Sequence, residues 1–468
     1  MQFQQQIDAD LDRVILLASK GAEVLVRHDH AGLGLPDVPI PRRQRVAENL
    51  TSFMRREWSQ DAVSLFALNP NSREYERRYQ VAESTAAERS SIAGFRWVSV
   101  SSLAESQFQE LADYKAIASA LARCEEYAAL REHGPFGKLG WFAELTEWVR
   151  DQIRPAGLTL SGRFTQLNGS PTFSLVRFET NGPAIWFKAV GEPNLREYPI
   201  TLALAKYFPA FVPRVIAARE DWNGWLAIEA GGTQPTEHSD VCVWTRVATT
   251  LAEFQIASVG QTLQLLDTGC RDARVSSVLG LVEPFFEVIA ELMERQTKES
   301  PPPLSRNELL TLRTHLQDTL AEAADCEIPN AIGHFDPNPC NIVANRDRCI
   351  FLDWAEAYAG PPFLTFRYLL EHLHRLRQHD EPWERTLTAA YADHWCLFFS
   401  PHEIARTLRT SPLFAVFAYA ASGDAWRDSA CRCQAEPPRL LRSLTRRMKR
   451  ESDLLMADDA RKSAPCLR

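Results

Sequence analysis

One stretch of the chain combines residue types and spacing that can do chemistry. It reads Gly333-His334-Phe335-Asp336-Pro337-Asn338-Pro339-Cys340-Asn341-Ile342-Val343, followed downstream by Phe351-Leu352-Asp353-Trp354. Two carboxylates and an amide in this order fit phosphoryl transfer. That reaction needs a carboxylate to orient a hydroxyl and take its proton, and oxygen donors to hold a hard cation such as Mg²⁺ on the phosphates. Asp336, Asn341 and Asp353 can supply these functions. The apolar runs Asn341–Ala344 and Cys349–Leu352 flank the turn residues Asn345-Arg346-Asp347-Arg348, so a small hairpin brings Asp353 back beside the Asp336 loop. The bland alternative is three polar turn residues near helix caps. His334, the two apolar strands and the Asp-Trp at the strand end argue against it.

The stretch resembles the aminoglycoside phosphotransferase and choline kinase group, whose fold is that of the protein kinases. The group's usual form is a His-Gly-Asp-x4-Asn loop followed by Asp-Trp at a strand end. The resemblance implies Asp336 as catalytic base, His334 as organiser of the loop, Asn341 and Asp353 as magnesium ligands, and ATP as phosphate donor. Phe335 stands where the group has Gly, and is expected to narrow the acceptor pocket. Pro339-Cys340 replaces the usual small pair. The resemblance also implies a lysine on an upstream strand for the α- and β-phosphates, held by a helical glutamate. Lys188 in Ile185-Trp186-Phe187-Lys188-Ala189-Val190 and Glu197 fit, with Glu192 also nearby. Gly169 and Ser170 lie in a turn-rich loop expected to cover the nucleotide. Ile228, Glu229 and Ala230 form the hinge whose backbone would bond adenine. The resemblance covers about residues 158–425.

The elements that must position these residues follow from pattern. Leu175–Glu179 and Ala184–Val190 are β-rich runs around Thr180-Asn181-Gly182-Pro183, where Asn-Gly predicts a tight hairpin with positive φ angles. A helix is predicted from Arg196 to Tyr207 and a strand from Trp225 to Glu229. Val243, Val247, Leu251 and Phe254 share one helical face. Ser305-Arg306-Asn307-Glu308 is a capping box opening a helix with a stripe of Leu309, Leu312, Leu316 and Leu320.

The N-terminal region resembles a second family more faintly. Val24–Arg27 reads as a strand and Leu35–Pro41 as an extended connector. Glu48, Arg56, Glu57 and apolar Trp58 match the Nudix box in register. Arg42 stands for its leading Gly, Gln60-Asp61 for its Glu pair and Val63 for its trailing Gly. An amide binds Mg²⁺ more weakly than a carboxylate, so the resemblance implies a degenerate Nudix-like module without hydrolase activity.

The chain has 468 residues, 45% hydrophobic and 24% charged, with 52 Lys+Arg against 60 Asp+Glu and a formal net charge of −8. That excludes a largely disordered, fibrous or membrane-embedded chain and gives no reason to expect nucleic-acid binding. The start lacks the basic and apolar regions of a signal peptide. The ten cysteines are scattered and read as reduced, mostly buried thiols of a cytoplasmic protein. The basic run Arg439–Arg450 reads as a solvated helix face, and the chain after about 452 as frayed. The expected fold is α+β: a Nudix-like α/β domain over 1–134, a linker helix and β-rich nucleotide lobe over 135–237, a helical lobe with the catalytic loop over 238–450, and a tail over 451–468. The expected function is ATP-dependent transfer of phosphate to a hydroxyl of a small molecule. A catalytically silent nucleotide- or partner-binding protein on the same fold is the alternative, with active Nudix hydrolysis as a third. Glu356, Glu371 and Asp380 read as surface charges that could give a cationic acceptor an acidic wall.

Overall fold

The computed structural model describes residues 9–68, 78–86, 91–129, 134–377, 380–434 and 436–463. The chain divides into two compact units of mixed α+β structure, Met1–Tyr198 with Arg214–Glu229 and Pro199–Pro213 with Ala230–Arg468. No helix among the described residues is long and apolar enough to cross a membrane.

The first unit opens with β1 (Ala9–Ala18), β2 (Glu23–Asp29), β3 (Gly32–Gly34), β4 (Asp37–Pro41), α1 (Val46–Trp58), β5 (Ala62–Ala67), β6 (Tyr79–Ser84), β7 (Phe95–Ser99), α2 (Leu111–Ala129) and α3 (Trp141–Ile153). The strands form one mixed sheet in the order β3-β2-β1-β6-β5, with β4 beside β1 and β7 beside β2. Alternate residues of a strand face opposite sides, and β1 uses both. Val14 and Leu16 pack with Leu50, Met54 and Trp58 of α1, while Ile15 and Leu17 pack in the core that holds α2 and α3. The Leu35–Pro41 segment, read as a connector, pairs with β1 over Asp37–Pro41. Val38 and Ile40 are fully or nearly buried, and that alternation wins over Pro39 between them.

The same unit continues with β8 (Leu160–Ser170), β9 (Phe173–Thr180), β10 (Ile185–Ala189), the start of α4 (Glu197–Tyr207), β11 (Val215–Arg219) and β12 (Gly224–Ile228). These strands make an antiparallel sheet in the order β11-β12-β10-β9-β8. The turn between β9 and β10 is not the tight one expected from Asn-Gly, since neither Asn181 nor Gly182 has a positive φ. Pro183 restricts the residue before it to extended backbone, and Asn181 is spent on the chain entering β8. Its N–H donates to the Thr159 carbonyl at 3.1 Å and its Oδ1 accepts from the Thr159 N–H at 2.9 Å.

The two sheets share one core. Phe136, Trp141, Phe142 and Leu145 pack in the same cluster as Ile15, Val24 and Val81 of the first sheet and Phe164, Val176, Phe178 and Phe187 of the second. Each of these sheets ends in an edge strand, β5 and β8, and a side chain joins the edges. The fully buried Gln166 accepts from the Ser64 N–H at 2.7 Å and donates to the Ser64 carbonyl at 3.0 Å. Its primary amide takes the place of a paired peptide and satisfies both outward groups of Ser64. Gly169 is required here, because a Cβ would lie 2.5 Å from the Gln166 amide nitrogen and 3.1 Å from the Ser64 carbonyl oxygen.

The second unit contains the rest of α4, then α5 (Val241–Ser258), α6 (Thr262–Asp267), β13 (Arg271–Asp272), α7 (Val275–Leu279), α8 (Val282–Glu294), α9 (Arg306–Asp325), β14 (Ala331–His334), β15 (Ile342–Ala344), β16 (Cys349–Phe351), β17 (Ala357–Gly360), α10 (Phe363–Arg377), α11 (Glu381–Trp395), α12 (Pro401–Ser422), α13 (Ser429–Cys433) and α14 (Glu436–Ser463). The expected stripes hold: Val247, Leu251 and Phe254 are buried on α5, and Leu309, Leu312, Leu316 and Leu320 on α9 behind the Ser305–Glu308 capping box. α10 sits between two apolar clusters, giving Phe363, Phe366, Leu369 and Leu373 to one and Leu364 and Tyr368 to the other. α14 carries on through the segment expected to fray, with Ser452 bonded to His315 at 2.6 Å and Asp459 to Arg409 at 2.6 Å. The basic run on α14 is not simply a solvated face. Arg442 donates to the Leu292 carbonyl, Arg446 to Gln296 and Arg447 to Glu371. Among the described cysteines all are free, but only Cys124, Cys270, Cys326 and Cys349 are buried, fewer than expected.

Residues 1–134 thus supply a large part of the core on which the second sheet rests, and a chain starting near 135 would expose it. Gln166→Leu keeps the volume and deletes the amide, leaving the Ser64 N–H and C=O unpaired in the interior. Unfolding in urea should show a loss of about 3 kcal/mol, from roughly 1–3 kcal/mol per stranded group. An unchanged midpoint would remove the amide's role in joining the sheets.

Candidate active site

The Asp336 loop is built around one buried imidazole. His334 ends β14, and its ring is nearly inaccessible. Nδ1 accepts from the Asp336 N–H at 3.0 Å, and Nε2 lies 3.1 Å from the Leu352 carbonyl oxygen. A carbonyl can only accept, so Nε2 carries the hydrogen and Nδ1 does not. Burial holds the His334 pKa below its usual value, which keeps the ring neutral. One side chain thereby ties Asp336 to the residue before Asp353. The hairpin closes the arrangement: β15 and β16 pair over Ile342–Phe351, and the Leu352 N–H donates to the Asn341 carbonyl at 2.8 Å. Asn338 caps the intervening turn through the Cys340 N–H at 3.0 Å. Pro339, at the first position of that turn, has no N–H to satisfy there.

Beneath the loop lies a second layer that sequence reasoning did not single out. The His334 N–H donates to Thr365 Oγ1 at 2.8 Å, and Thr365 is bonded in turn to the Tyr358 hydroxyl at 2.9 Å. Gly333 leaves room for Tyr358, since a Cβ would fall 1.9 Å from its ring. Phe335 does not narrow a pocket as expected. It is buried, stacked on Tyr358 with centroids 4.2 Å apart and edge-on to Tyr368 and Tyr419. Phe335 turns into the core while its neighbour Asp336 turns out.

Asp336 is half exposed. Asn341 Nδ2 lies 3.2 Å from its Oδ2, and His372 Nε2 on α10 lies 3.5 Å from its Oδ1. His372 holds the Asp336 carboxyl below the usual carboxylate range, against the opposing effect of partial burial. With Nδ2 spent on Asp336, Asn341 keeps its Oδ1 as an oxygen donor. Asp353 is exposed and sits in a left-handed conformation at φ 62°, where a short polar side chain is tolerated. Among the described residues no group of three His, Cys, Asp or Glu could hold a metal by itself. Asn341 and Asp353 are hard oxygen donors that suit Mg²⁺ when phosphate oxygens complete the set.

In the first unit, Lys188 on β10 meets Glu197 in the first turn of α4, with Nζ 2.5 Å from Oε1. Glu197 is 2% exposed, and the Lys188 ammonium also lies 5.8 Å from the Trp225 ring centroid. Gly169 and Ser170 end β8, and Ser170 Oγ accepts from the Thr172 N–H at 3.3 Å. The N–H groups of Ile228 and Glu229 are already bonded, to the carbonyls of Arg214 and Ala184 at 2.9 Å. The Glu229 side chain is held by Arg177 and the Trp186 indole. Of the three hinge residues, Ala230 is the one that belongs to the second unit.

The Nudix-box residues do not converge. Trp58 and Gln60 point inward, Gln60 fully buried with Nε2 bonded to Ser84 Oγ at 2.9 Å. Arg56 pairs with Glu57 at the surface and Asp61 with Arg55. The acidic wall is also neutralised: Glu356 pairs with Arg271, Glu371 meets Arg367, Arg375 and Arg447, and Asp380 pairs with Arg377 while capping α11.

No family model matches the chain, and no curated protein matches it. Solved structures that overlap it include a macrolide 2'-phosphotransferase from Brachybacterium faecium, at 16% identity and TM-score 0.40 over 62% of this chain and 95% of that one. An ethanolamine kinase from Plasmodium vivax overlaps at 13% and 0.45 over 71% and 95%. A choline kinase from Streptococcus pneumoniae overlaps at 13% and 0.41 over 67% and 99%. Overlap this loose fixes neither family nor substrate.

The neutral His334 makes folding depend on pH. Its folded pKa lies below the ordinary value of 6.5, so the unfolded chain binds a proton first as pH falls. Its contribution is complete above about 6.5 and is lost as pH drops toward the depressed folded value. Urea unfolding at pH 7.5 and 5.5 should show a loss for the parent that shrinks in His334→Gln. An equal pH dependence in both would mean that the ring is not the group that titrates.

Proposed function

We propose that the protein is an ATP-dependent phosphotransferase on a protein-kinase-like fold, moving the γ-phosphate of Mg-ATP to a hydroxyl of a small molecule. The observation that supports this best is the buried His334 ring holding Asp336 and the strand end before Asp353, with Asn341 against the same carboxylate. Asp336 accepts the proton of the acceptor hydroxyl as that oxygen bonds to the γ-phosphorus. The bond from the γ-phosphorus to the β–γ bridging oxygen breaks, and ADP leaves with that oxygen. Asn341 and Asp353 would hold magnesium, which when bound would supply positive charge to the phosphates. Lys188, steadied by Glu197, holds the α- and β-phosphates. The hairpin at Gly169 and Ser170 covers the nucleotide, and main-chain groups around Ile228–Ala230 meet adenine. The mixed N-terminal sheet is a degenerate Nudix-like attachment without hydrolysis of its own, and the reaction is cytoplasmic.

Asp336→Asn should keep ATP affinity and cut ADP release by about 10² or more, the scale of a lost general base. Equal turnover in variant and parent, with an acceptor in hand, would sink the assignment. Asp353→Ala should abolish the magnesium-dependent part of ATP binding, because the neutral amide of Asn341 cannot offset phosphate charge alone. Calorimetry with and without Mg²⁺ reads it, and an undiminished metal-dependent affinity would move the metal site elsewhere. ATP binding with no turnover across hydroxylated amines, sugars and antibiotics would favour the silent binder.

A further inference from the structure

Three successive residues of the catalytic loop are met by three residues on one face of α10. The His334 N–H bonds to Thr365 Oγ1 at 2.8 Å. The Phe335 ring stands edge-on to Tyr368 with centroids 6.0 Å apart. Asp336 Oδ1 lies 3.5 Å from His372 Nε2. Thr365, Tyr368 and His372 are spaced i, i+3 and i+7, which on a helix is a single stripe. The helix is fixed by Phe366, Leu369 and Leu373 in one core cluster and by Leu364, with Tyr368 of the stripe itself, in another. Tyr368 is anchored further, donating to the Ala415 carbonyl at 3.0 Å and lying under Arg447.

From this register we propose that His372 is a positioning residue for Asp336, setting the direction of the base from α10. The assignment rests on Asp336 being the base. A half-exposed carboxylate at the tip of a short loop has two free torsions, and a proton acceptor works only when aimed at the hydroxyl. Asn341 meets one of its oxygens and His372 the other, so the plane of the carboxylate is set from two sides. Each oxygen retains a lone pair for the acceptor. At 3.5 Å the His372 contact is longer than a strong hydrogen bond, which suits a group that steers the carboxylate without capturing it. The lowered pKa of Asp336 agrees with a donor on that side. Thr365 and His372 thus hold the loop's backbone and its reacting group from one rigid element.

The test uses the full chain and needs no identified acceptor, because water serves as the probe. ADP release from Mg-ATP is measured for the parent, Asp336→Asn, His372→Phe and His372→Gln, together with the KM for ATP. His372→Phe keeps the ring volume and removes the donor, and should lower kcat about tenfold with the KM unchanged. His372→Gln sets an amide N–H at similar reach and should recover most of that loss. Parent-like turnover in His372→Phe, while Asp336→Asn is impaired, would overturn the positioning role and leave the base assignment intact. Parent-like turnover in Asp336→Asn would overturn the phosphotransfer reading on which the proposal rests. A double-mutant cycle of Asp336→Asn and His372→Phe on the urea midpoint reads the contact without any activity. Coupling is expected, with the double variant losing less than the sum of the singles, and strict additivity would overturn the pairing.

Discussion

Everything near Asp336 depends on one imidazole that must stay neutral. His334 can accept from the Asp336 N–H only through an unprotonated Nδ1, and can donate to Leu352 only through Nε2. A second proton would break the first bond and place a charge in a site closed to water. Burial opposes that, because it penalises the charged form. The constraint spreads outward. The ring packs on Trp354, with centroids 4.9 Å apart. Its backbone is fixed by Thr365, and Thr365 by Tyr358, which fits only because residue 333 lacks a side chain. The exposed carboxylates are therefore positioned by a hydrogen-bonded interior that water does not reach.

The first unit solves a similar problem with opposite means. Lys188 and Glu197 form an ion pair, and Glu197 is almost wholly buried. Taking two charges out of water costs several kcal/mol per ion before their attraction offsets it. Such a pair is weak evidence for stability and better evidence for a fixed position. β10 supplies a rigid strand for the lysine, and the Trp225 ring lies near its ammonium. The strand is held in turn by a core it shares with the N-terminal sheet. The Gln166–Ser64 amide pair makes that sharing specific, since a purely apolar contact would tolerate a slip along the edge.

The local arrangement around Asp336 was legible in the sequence and its partners across the fold were not. His334, Asp336, Asn341 and Asp353 lie within twenty residues of one another, and the turn residues of the hairpin between them have a recognisable pattern. The capping box at Ser305 was legible for the same reason. Thr365 and His372 carry no mark, because a threonine and a histidine on an amphipathic helix read as ordinary face residues until the loop is laid across them. Gln166 and Ser64 are 102 positions apart, beyond any local rule. The Asn181-Gly182 turn misled because a side-chain bond to Thr159 competed with the backbone preference of the pair. Phe335 misled because a family comparison reports which residue is unusual and says nothing of which side it faces.

The carboxylates expected to form an acidic wall near the loop are already engaged. A cationic acceptor would be recognised through unpaired carboxylates, and Glu356, Glu371 and Asp380 are each engaged by arginine. Releasing any of them would strand a cation in a partly buried position, a cost a surface contact does not recover. The Glu371 cluster is also structural, since Arg447 carries it from α14 to α10, the helix that meets the Asp336 loop. Asp336 itself is met by His372 on one oxygen and Asn341 on the other. Tyr419 borders the same loop, edge-on to Phe335 and near Arg271, so the surface there is aromatic as well as charged.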